Sequence, residues 1–358
     1  MDYLEIAGFR SLRNCRVALQ PINILIGANG SGKSNFITFF DFLNVLSNRL
    51  LNEYVALKGG ADRLFFNGIK ETSELKFKME FNGGKNGYAA TIRYGADQLV
   101  FMDERLIDQG DQGVNIQAFV ANKQESYLQK TDNFRAKYVI NYLEGLRRYH
   151  FHDTSSKSPF TRLSHVDNEI HYLTRDGGNL AAFLYHIAQS KPLIYRRILQ
   201  TVRSIAPYFQ DFLLRPNAEG YVRLTWREKF SDTPYGPTDF SDGTLRFIAL
   251  TVLFLQPDLP ATIIIDEPEL GLHPAAVAKL AGMVHSAAAR GGQVILATQS
   301  ADLLAHFTPE DVVTVDRAED GSQFRRLNSK DLTQWLNDYG LDDLWRQNII
   351  SYGQPNRA

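Results

Sequence analysis

A chain of 358 residues, 44% of them hydrophobic, can bury a large core and is long for one simple domain. Lysine and arginine number 39 against 40 aspartates and glutamates, so the formal charge of -1 gives no global field that would favour nucleic acid. The single cysteine, Cys15, excludes an internal disulfide and a cysteine metal cluster and fits a reducing compartment.

The sequence also predicts a soluble, cytoplasmic protein without a membrane partner. The longest clean apolar stretch, Phe247 to Leu255, is about half of what a membrane span needs. Met1 to Arg10 contains Asp2 and Glu5 and has no apolar centre, so this segment does not fit a signal peptide.

Short alternating segments dominate the first third of the chain, and turn signals such as Asn82-Gly83-Gly84 and Gly95-Ala96-Asp97 separate them. The predicted strands are Leu4 to Ile6, Cys15 to Leu19, Ile22 to Ile26, Glu74 to Phe81, Tyr88 to Tyr94 and Gln98 to Met102. This pattern predicts a mostly antiparallel sheet built around the loop that follows Ile26.

That loop has the sequence GxxxxGKS directly after an apolar strand. Glycines at these positions let successive backbone N–H groups turn toward phosphates, while Lys33 would reach the β and γ oxygens and the Ser34 hydroxyl would bind Mg²⁺. We therefore predict binding of ATP and Mg²⁺, with Ser34 as a metal ligand and Lys33 as a catalytic residue. The predicted nucleotide-binding residues of this loop are Gly27, Asn29, Gly30, Ser31, Gly32, Lys33, Ser34 and Asn35.

The pattern after Ser34 is helical, because Phe36, Phe40, Leu43 and Leu46 share one face. The positive end of this helix dipole would point at the phosphates.

The character of the chain changes from about Asn141 to Pro207. Asn179 to Ala188 and Tyr195 to Ile205 are predicted helices, with Pro192 and Pro207 as breaks. A strand is expected at Tyr221 to Trp226. We expect three regions: an N-terminal part of the nucleotide core at 1–140, an inserted, mostly helical lobe at 141–238, and a C-terminal part of the core at 239–358.

The final third alternates strand and helix, which is typical of a parallel sheet with covering helices. The predicted elements are strands at Thr262 to Ile265, Gln293 to Thr298 and Val312 to Val315, and a helix at Ala275 to Ala289.

The first of these strands ends in two acids, Asp266 and Glu267, the arrangement of a Walker B motif. Asp266 would hold Mg²⁺ through a water, and Glu267 would position or deprotonate the attacking water as the catalytic base. On the alternative interpretation, the two acids merely end a strand.

Three further segments keep a fixed order around this motif. Ser241-Asp242-Gly243 precedes a strongly apolar helix, Leu245 to Leu255, and Pro268 to Pro274 follows Walker B with His273 near its end. Gln299 follows the strand Gln293 to Thr298. Taken alone, Ser241 would be an ordinary helix N-cap.

In this order, the segments closely resemble the RecF-like and SMC-like branch of ABC-type ATPases. This branch includes bacterial "AAA family ATPases" related to the ATPase part of OLD-type defence proteins. The start of the chain, with Phe9-Arg10-Ser11 at a strand end, is also similar to that branch. The resemblance covers both ends of the chain well and the middle poorly.

The resemblance implies an α/β fold: an ABC-type P-loop ATPase head with an N-terminal antiparallel β-subdomain, a parallel-sheet core and an inserted helical lobe. It implies that Ser241 and Gly243 form the signature that reaches the nucleotide of a second protomer, and that Pro268 to Pro274 is the D-loop. Gln299 would act as a catalytic γ-phosphate sensor in place of histidine. Arg10 would touch the phosphates, although an exposed arginine at a strand end is an equal alternative.

The resemblance further implies a homodimer that sandwiches two ATP molecules and acts as a switch in DNA repair or anti-phage defence. OLD-type nucleases carry a nuclease domain with paired aspartates, and no DxD pair follows here. An effector or nuclease would therefore be a partner protein, and DNA is a plausible ligand.

Other interpretations stay open. Tyr149 to Asp153 is a candidate Q-loop, but its two histidines and aspartate also suggest a polar rim or a metal site. Two other functions compete with the switch: a transporter nucleotide-binding subunit and a small-molecule P-loop kinase. The pairs Arg147-Arg148, Arg196-Arg197 and Arg325-Arg326 suggest a nucleic-acid groove or, alternatively, solvated surface.

Overall fold

The computed structural model describes residues 1–95, 98–110, 113–119, 121–168 and 172–350. Ala96 and Asp97 of one predicted turn lie outside these residues, as do the last eight positions of the predicted C-terminal region. The chain divides into two compact units, Met1–Arg147 with Ile295–Ala358, and Arg148–Val294. The division into three regions stays a prediction.

The strands are β1 (Tyr3–Phe9), β2 (Leu12–Ala18), β3 (Ile22–Ile26), β4 (Glu74–Phe81), β5 (Asn86–Gly95), β6 (Gln98–Gly110), β7 (Gly113–Ala118), β8 (Leu146–Tyr149), β9 (Ser164–His165), β10 (Phe209–Phe212), β11 (Tyr221–Val222), β12 (Trp226–Glu228), β13 (Thr262–Asp266), β14 (Gln293–Thr298), β15 (Val312–Ala318) and β16 (Gly321–Arg326). The α-helices are α1 (Lys33–Ser47), α2 (Leu51–Leu57), α3 (Phe134–Glu144), α4 (Leu180–Ser190), α5 (Pro192–Arg203), α6 (Asp242–Leu255), α7 (Pro274–Ala289), α8 (Ala301–Leu304), α9 (Thr333–Leu336) and α10 (Leu341–Arg346).

The first unit contains the predicted antiparallel sheet, in the order β2-β1-β4-β5-β6-β7. Every neighbouring pair in it is antiparallel, with Ile6 opposite Cys15 on one side and Phe77 on the other. Burial raises the pKa of the Cys15 thiol to about 12, so this thiol stays protonated and unreactive at neutral pH.

The strand at Ile22 to Ile26 corrects one prediction, because β3 is not part of the antiparallel sheet. It pairs in parallel with β15, Ile24 opposite Val312, and β15 pairs antiparallel with β16. All five residues of β3 are buried. Four of these residues are apolar and the fifth is Asn23, and such a nearly continuous apolar run is typical of a parallel strand covered on both faces, whereas half-exposed antiparallel strands alternate.

Helix α1 is buried on more sides than its predicted single face. Besides Phe36 and Phe40, Phe39 and Phe42 are fully buried. Phe39 lies 5.1 Å from Phe9 and 5.4 Å from Phe42 between ring centroids. This aromatic cluster fixes the helix that follows the phosphate loop against the first strand of the chain.

The second unit begins with short strands and two helices, so the segment before α6 has mixed secondary structure. Pro192 separates α4 from α5, as predicted, and it is the first residue of α5, where its missing N–H is tolerated. The strand predicted at Tyr221 to Trp226 is two strands, β11 paired with β9 and β12 paired with β10.

Trp226 of β12 stacks on Phe240 with ring centroids 4.1 Å apart, directly before α6. This stack anchors the start of α6, and the predicted helices and strands from α6 to β14 are all confirmed. In the described part of the chain, no helix is both long and apolar enough to cross a membrane.

Candidate nucleotide-binding site

The phosphate loop connects β3 to α1 in the first unit, as the sequence predicts. Lys33 is 5% exposed, and its ammonium donates hydrogen bonds to the carbonyls of Gly27, at 2.6 Å, and Ala28, at 3.0 Å. Ser34 is exposed at the start of α1. The positive charge therefore lies inside the curve of the loop, and the next residue, Ser34, is exposed to solvent.

Each of the three glycines of the loop is explained by a different feature of its surroundings or its backbone. A Cβ on Gly27 would lie 1.9 Å from the Val315 carbonyl oxygen, so this position must be bare for β15 to approach. Gly32 has a φ of 116°, and a Cβ on Gly32 would lie 2.0 Å from the Ser322 hydroxyl oxygen. Gly30 has a φ of 76°, and among the described residues no atom lies within 4 Å of its Cβ position. Space for phosphates therefore lies over Gly30, which fits the group that the loop is expected to hold.

The contacts of Arg10 in the structure are with other residues of the protein. Its φ of 47° is left-handed, its N–H donates to the Leu64 carbonyl at 2.8 Å, and its guanidinium lies 5.6 Å from the Phe9 ring centroid. Its Nε is buried without a hydrogen-bond partner among the described residues. The phosphate contact of Arg10 therefore stays a prediction.

Gln299 lies next to the phosphate loop. Its amide Nε2 donates to Oδ1 of Asn29 at 2.8 Å. Ser300 then caps α8 by accepting a hydrogen bond from the Leu303 N–H, so the residue that follows Gln299 is fixed. The sequence predicted both residues as ligands, but not that they would pair with each other.

The two acids predicted for catalysis lie at the end of β13 in the second unit. Asp266 lies 3.8 Å from the guanidinium of Arg148, on the neighbouring strand β8. Arg148, from one of the arginine pairs, is thus an ion-pair partner of the predicted metal ligand, and its role toward nucleic acid stays a prediction.

Glu267 has a φ of 46°, a conformation that costs free energy for a residue other than glycine. Such strain is concentrated at functional sites, where the surrounding structure holds a side chain in a required direction. The sequence offered no signal for this backbone conformation.

The signature segment forms the start of α6. Ser241 is the N-cap, and its Oγ accepts the Thr244 N–H at 3.2 Å. The carboxylate of Asp242 accepts a hydrogen bond from the Thr154 hydroxyl at 2.7 Å. Ser241 and Asp242 are both exposed, so the polar helix start is accessible to a ligand.

Gly243 packs against the D-loop of its own chain. A Cβ at this position would lie 2.1 Å from the Gly271 carbonyl oxygen. The bare glycine is thus required by an intramolecular contact, and a contact with nucleotide stays a prediction.

Arg246, one turn further along α6, was missed by the sequence analysis. Its guanidinium donates to three carbonyls, those of Leu270 at 2.8 Å, His152 at 2.8 Å and Phe151 at 3.2 Å. These bonds tie α6 to the D-loop and to the candidate Q-loop segment. An arginine three residues after a signature glycine is a weak sequence signal, since its partners are backbone atoms.

The metal alternative for Tyr149 to Asp153 finds no support in the described ranges, where no group of three His, Cys, Asp or Glu side chains is arranged to hold a metal ion. The Asp153 carboxylate instead accepts bonds from the Ser155 N–H and hydroxyl, and these lower its pKa. His273 caps α7, with Nδ1 accepting the Ala275 N–H at 3.2 Å.

The arginine pairs also differ from one another. Arg326 donates to the carbonyls of Glu310 and Ala18, and burial lowers its pKa to about 10. It is therefore an internal brace between strands and not part of a groove. Arg196 and Arg197 are exposed on α5.

Comparison with known proteins identifies related chains. Residues 22–305 match the AAA_21 family, described as "AAA domain, putative AbiEii toxin, Type IV TA system". The DNA replication and repair protein RecF of Renibacterium salmoninarum is 28% identical over 97 residues, 26% of this chain and 24% of that protein. A "Putative ABC transporter ATP-binding protein" of Streptomyces coelicolor is 39% identical over 69 residues, 19% of this chain and 12% of that protein.

The chain therefore spans about a quarter or less of these curated relatives. Among solved structures, the Smc head domain with an extended coiled coil, bound to the C-terminal domain of ScpA and derived from Pyrococcus furiosus, superposes with a TM-score of 0.56. It shares 14% identity and covers 94% of this chain and 98% of that chain, which shows the fold alone. The match over 22–305 shows that the chain belongs to the AAA_21 family, and the RecF relative and the Smc head fold support its recognition as an ATPase of the RecF-like and SMC-like ABC type.

Proposed function

We propose that this protein binds ATP with Mg²⁺ at the phosphate loop and hydrolyses it. The observation that supports this most strongly is the geometry of the loop. Lys33 is held inside the curve by the Gly27 and Ala28 carbonyls, the space over Gly30 is open, and Ser34 is exposed. A polyphosphate would replace the two carbonyls as the partner of the ammonium group.

Each residue then has a defined task. Lys33 neutralises charge on the β and γ oxygens, and Ser34 and Asp266 hold the metal ion. Glu267 accepts a proton from the attacking water, and its strained backbone fixes the direction of its carboxylate. Gln299 donates an amide hydrogen bond toward the γ-phosphate, with Asn29 holding the amide in place. Bound ATP supplies the anhydride bond, and Mg²⁺ offsets the phosphate charge.

We also propose that hydrolysis takes place in a dimer that sandwiches two nucleotides. The exposed start of α6 supports this, because Ser241 and the helix N-terminus offer hydrogen-bond donors and a positive dipole that an anion from a second protomer would meet. Arg246 and Gly243 contact the D-loop, so binding of a nucleotide at the start of α6 would also shift the D-loop.

We place this cycle in the cytoplasm, as a switch in DNA repair or anti-phage defence that acts through a nuclease or another effector. A relative named as a DNA replication and repair protein supports the repair role. A head domain of the same fold bound to a partner protein supports docking of an effector. DNA is a candidate ligand of the closed dimer.

A second candidate function is that of a transporter nucleotide-binding subunit. The observation in its favour is the 69-residue match to a protein named as an ABC transporter ATP-binding protein. Copurification of the full chain with an integral membrane protein would support it over the switch.

The deciding experiment measures ATP hydrolysis with and without DNA on protein whose mass in solution is known. We expect slow hydrolysis that depends on Mg²⁺ and rises with dimerisation. A preparation that neither binds nor hydrolyses ATP, as monomer or dimer, would contradict the proposal.

A further inference from the structure

Side chains from three distant parts of the first unit meet beside the phosphate loop. Ser11 Oγ accepts hydrogen bonds from Asn35 Nδ2 at 2.9 Å and from the Ser322 hydroxyl at 2.8 Å. The backbone N–H of Ser322 also donates to the Ser11 carbonyl at 2.9 Å. Ser11 and Ser322 are 7% and 3% exposed. Two buried hydroxyls are thus satisfied mainly by each other and by the first turn of α1.

This cluster lies directly against Gly32. A Cβ on Gly32 would be 2.0 Å from Ser322 Oγ and 2.9 Å from Ser11 Oγ. The two hydroxyls therefore fill the space where a side chain would be, and they limit how far the Gly32 backbone can move. A glycine with a φ of 116° has wide conformational freedom unless its surroundings restrict it.

The approach of β16 depends on a second glycine. Gly321 has a φ of 119°, and a Cβ on it would lie 2.9 Å from the Ser11 carbonyl oxygen. The end of the β15–β16 hairpin is therefore shaped to bring Ser322 under the loop.

We propose that Ser11 and Ser322 are positioning residues for nucleotide binding. They hold Gly32 in its left-handed conformation and thereby fix the two residues that follow, Lys33 and Ser34, in the phosphate-binding arrangement. A loop held in this way loses less conformational entropy when the nucleotide binds. The inference rests on the proposed binding of ATP by this loop.

The test compares the affinity of Ser322→Ala, Ser11→Ala and the double variant for a fluorescent ADP analogue. Loss of the Ser322 bond is expected to raise Kd about five- to tenfold. Ser11→Ala should weaken binding at least as much, because Asn35 loses its acceptor too. The double variant should bind like Ser11→Ala, since both changes remove the same bond.

Ser329→Ala is the matched control. Ser329 donates to the Glu310 carboxylate at 2.9 Å in the same unit, away from the phosphate loop. Its variant should lower the unfolding temperature without changing Kd. Ser322→Cys, which is slightly larger and keeps a weak donor, should bind with intermediate affinity and serves if Ser322→Ala does not fold.

The outcomes separate the two proposals. If the wild-type protein does not bind the analogue, ATP binding and this inference both fail. If the wild type binds and the serine variants bind equally well, or weaken no more than Ser329→Ala, the positioning role is overturned and ATP binding stands.

Discussion

Lys33 places one positive charge inside the phosphate loop, and among the residues of the loop it is the only basic one. We expect Lys33→Ala to raise the Kd for ATP by about 100-fold, the loss typical of a strong bond between charged groups. Equilibrium titration with a fluorescent analogue measures this. Lys279→Ala, at an exposed position on α7, is the control. Unchanged affinity in Lys33→Ala would contradict the proposed site.

Glu267 tests the chemistry separately from binding. Glu267→Gln keeps the size of the side chain, and the left-handed backbone is equally strained in both forms. We expect ATP affinity to persist and turnover to fall by about two orders of magnitude or more. Single-turnover hydrolysis measures this, and light scattering should show the ATP-bound dimer accumulating. Normal turnover would show that another group is the base.

The amide side chain of Gln299 leads to a prediction for the pH dependence of ATP turnover. Because an amide does not titrate, turnover should change little between about pH 6 and 8, where an imidazole at this position would titrate. Gln299→Ala also removes the bond to Asn29 and should reduce kcat more than affinity. A clear titration near neutrality that disappears in His273→Ala would assign the sensing role to His273 instead.

Sequence reasoning reaches these residues because each is part of a short motif with a chemical purpose. Lys33, Glu267 and Gln299 follow strands whose apolar patterns are plain. Arg246 and Ser322 could not be found this way. Their partners are carbonyls and a serine that lie close only after folding, and no local pattern records such a distance.

At the scale of elements, α6 and the D-loop act as one piece. Gly243→Ala would force a Cβ to within 2.1 Å of the Gly271 carbonyl oxygen, so one backbone segment must shift. We expect at least a tenfold loss of kcat, about 1.4 kcal/mol, with little change in ATP affinity.

The control for this prediction is Gly282→Ala on α7, where no atom of the part of the chain that the structure describes lies within 4 Å of the Cβ position. That variant should keep its activity and gain up to about 1 kcal/mol of stability, because alanine favours helix more than glycine does. Kinetics and thermal unfolding of both variants decide the matter. Equal kcat in the two would show that the contact is not functional.

The elements also show where prediction from sequence ends. The predictions for α6, β13, α7 and β14 are correct because the change from strand to helix is sharp there. Ile22 to Ile26 was assigned to the wrong sheet, since its partner, β15, lies almost 300 residues later. Its apolar run, interrupted only by Asn23, indicated a strand covered on both faces, which the turn signals nearby obscured.

At the scale of the whole molecule, the composite site makes a prediction that no monomeric phosphate-loop enzyme shares. Ser241→Arg should block ATP-dependent dimerisation, while the monomer still binds ATP. Lys33→Ala should be inactive for a different reason, so a mixture of the two variants should regain part of the activity. Activity of the mixture and mass in solution are the measurements. A Ser241→Arg monomer that hydrolyses ATP at the wild-type rate would favour the kinase-like alternative.

The hydrogen bond between Ser11 and Ser322 beside the phosphate loop has a consequence for folding during synthesis of the protein. Ser11 and Ser322 are 311 residues apart, and Gly27 and β3 likewise contact β15. On a ribosome, the motif that binds phosphate therefore emerges long before the hairpin that shapes it, by roughly 15 to 60 s at ordinary rates of translation. Throughout that interval the nascent chain carries the loop without its support. Nucleotide would become able to bind, and to stabilise the fold, only as synthesis of the head nears completion.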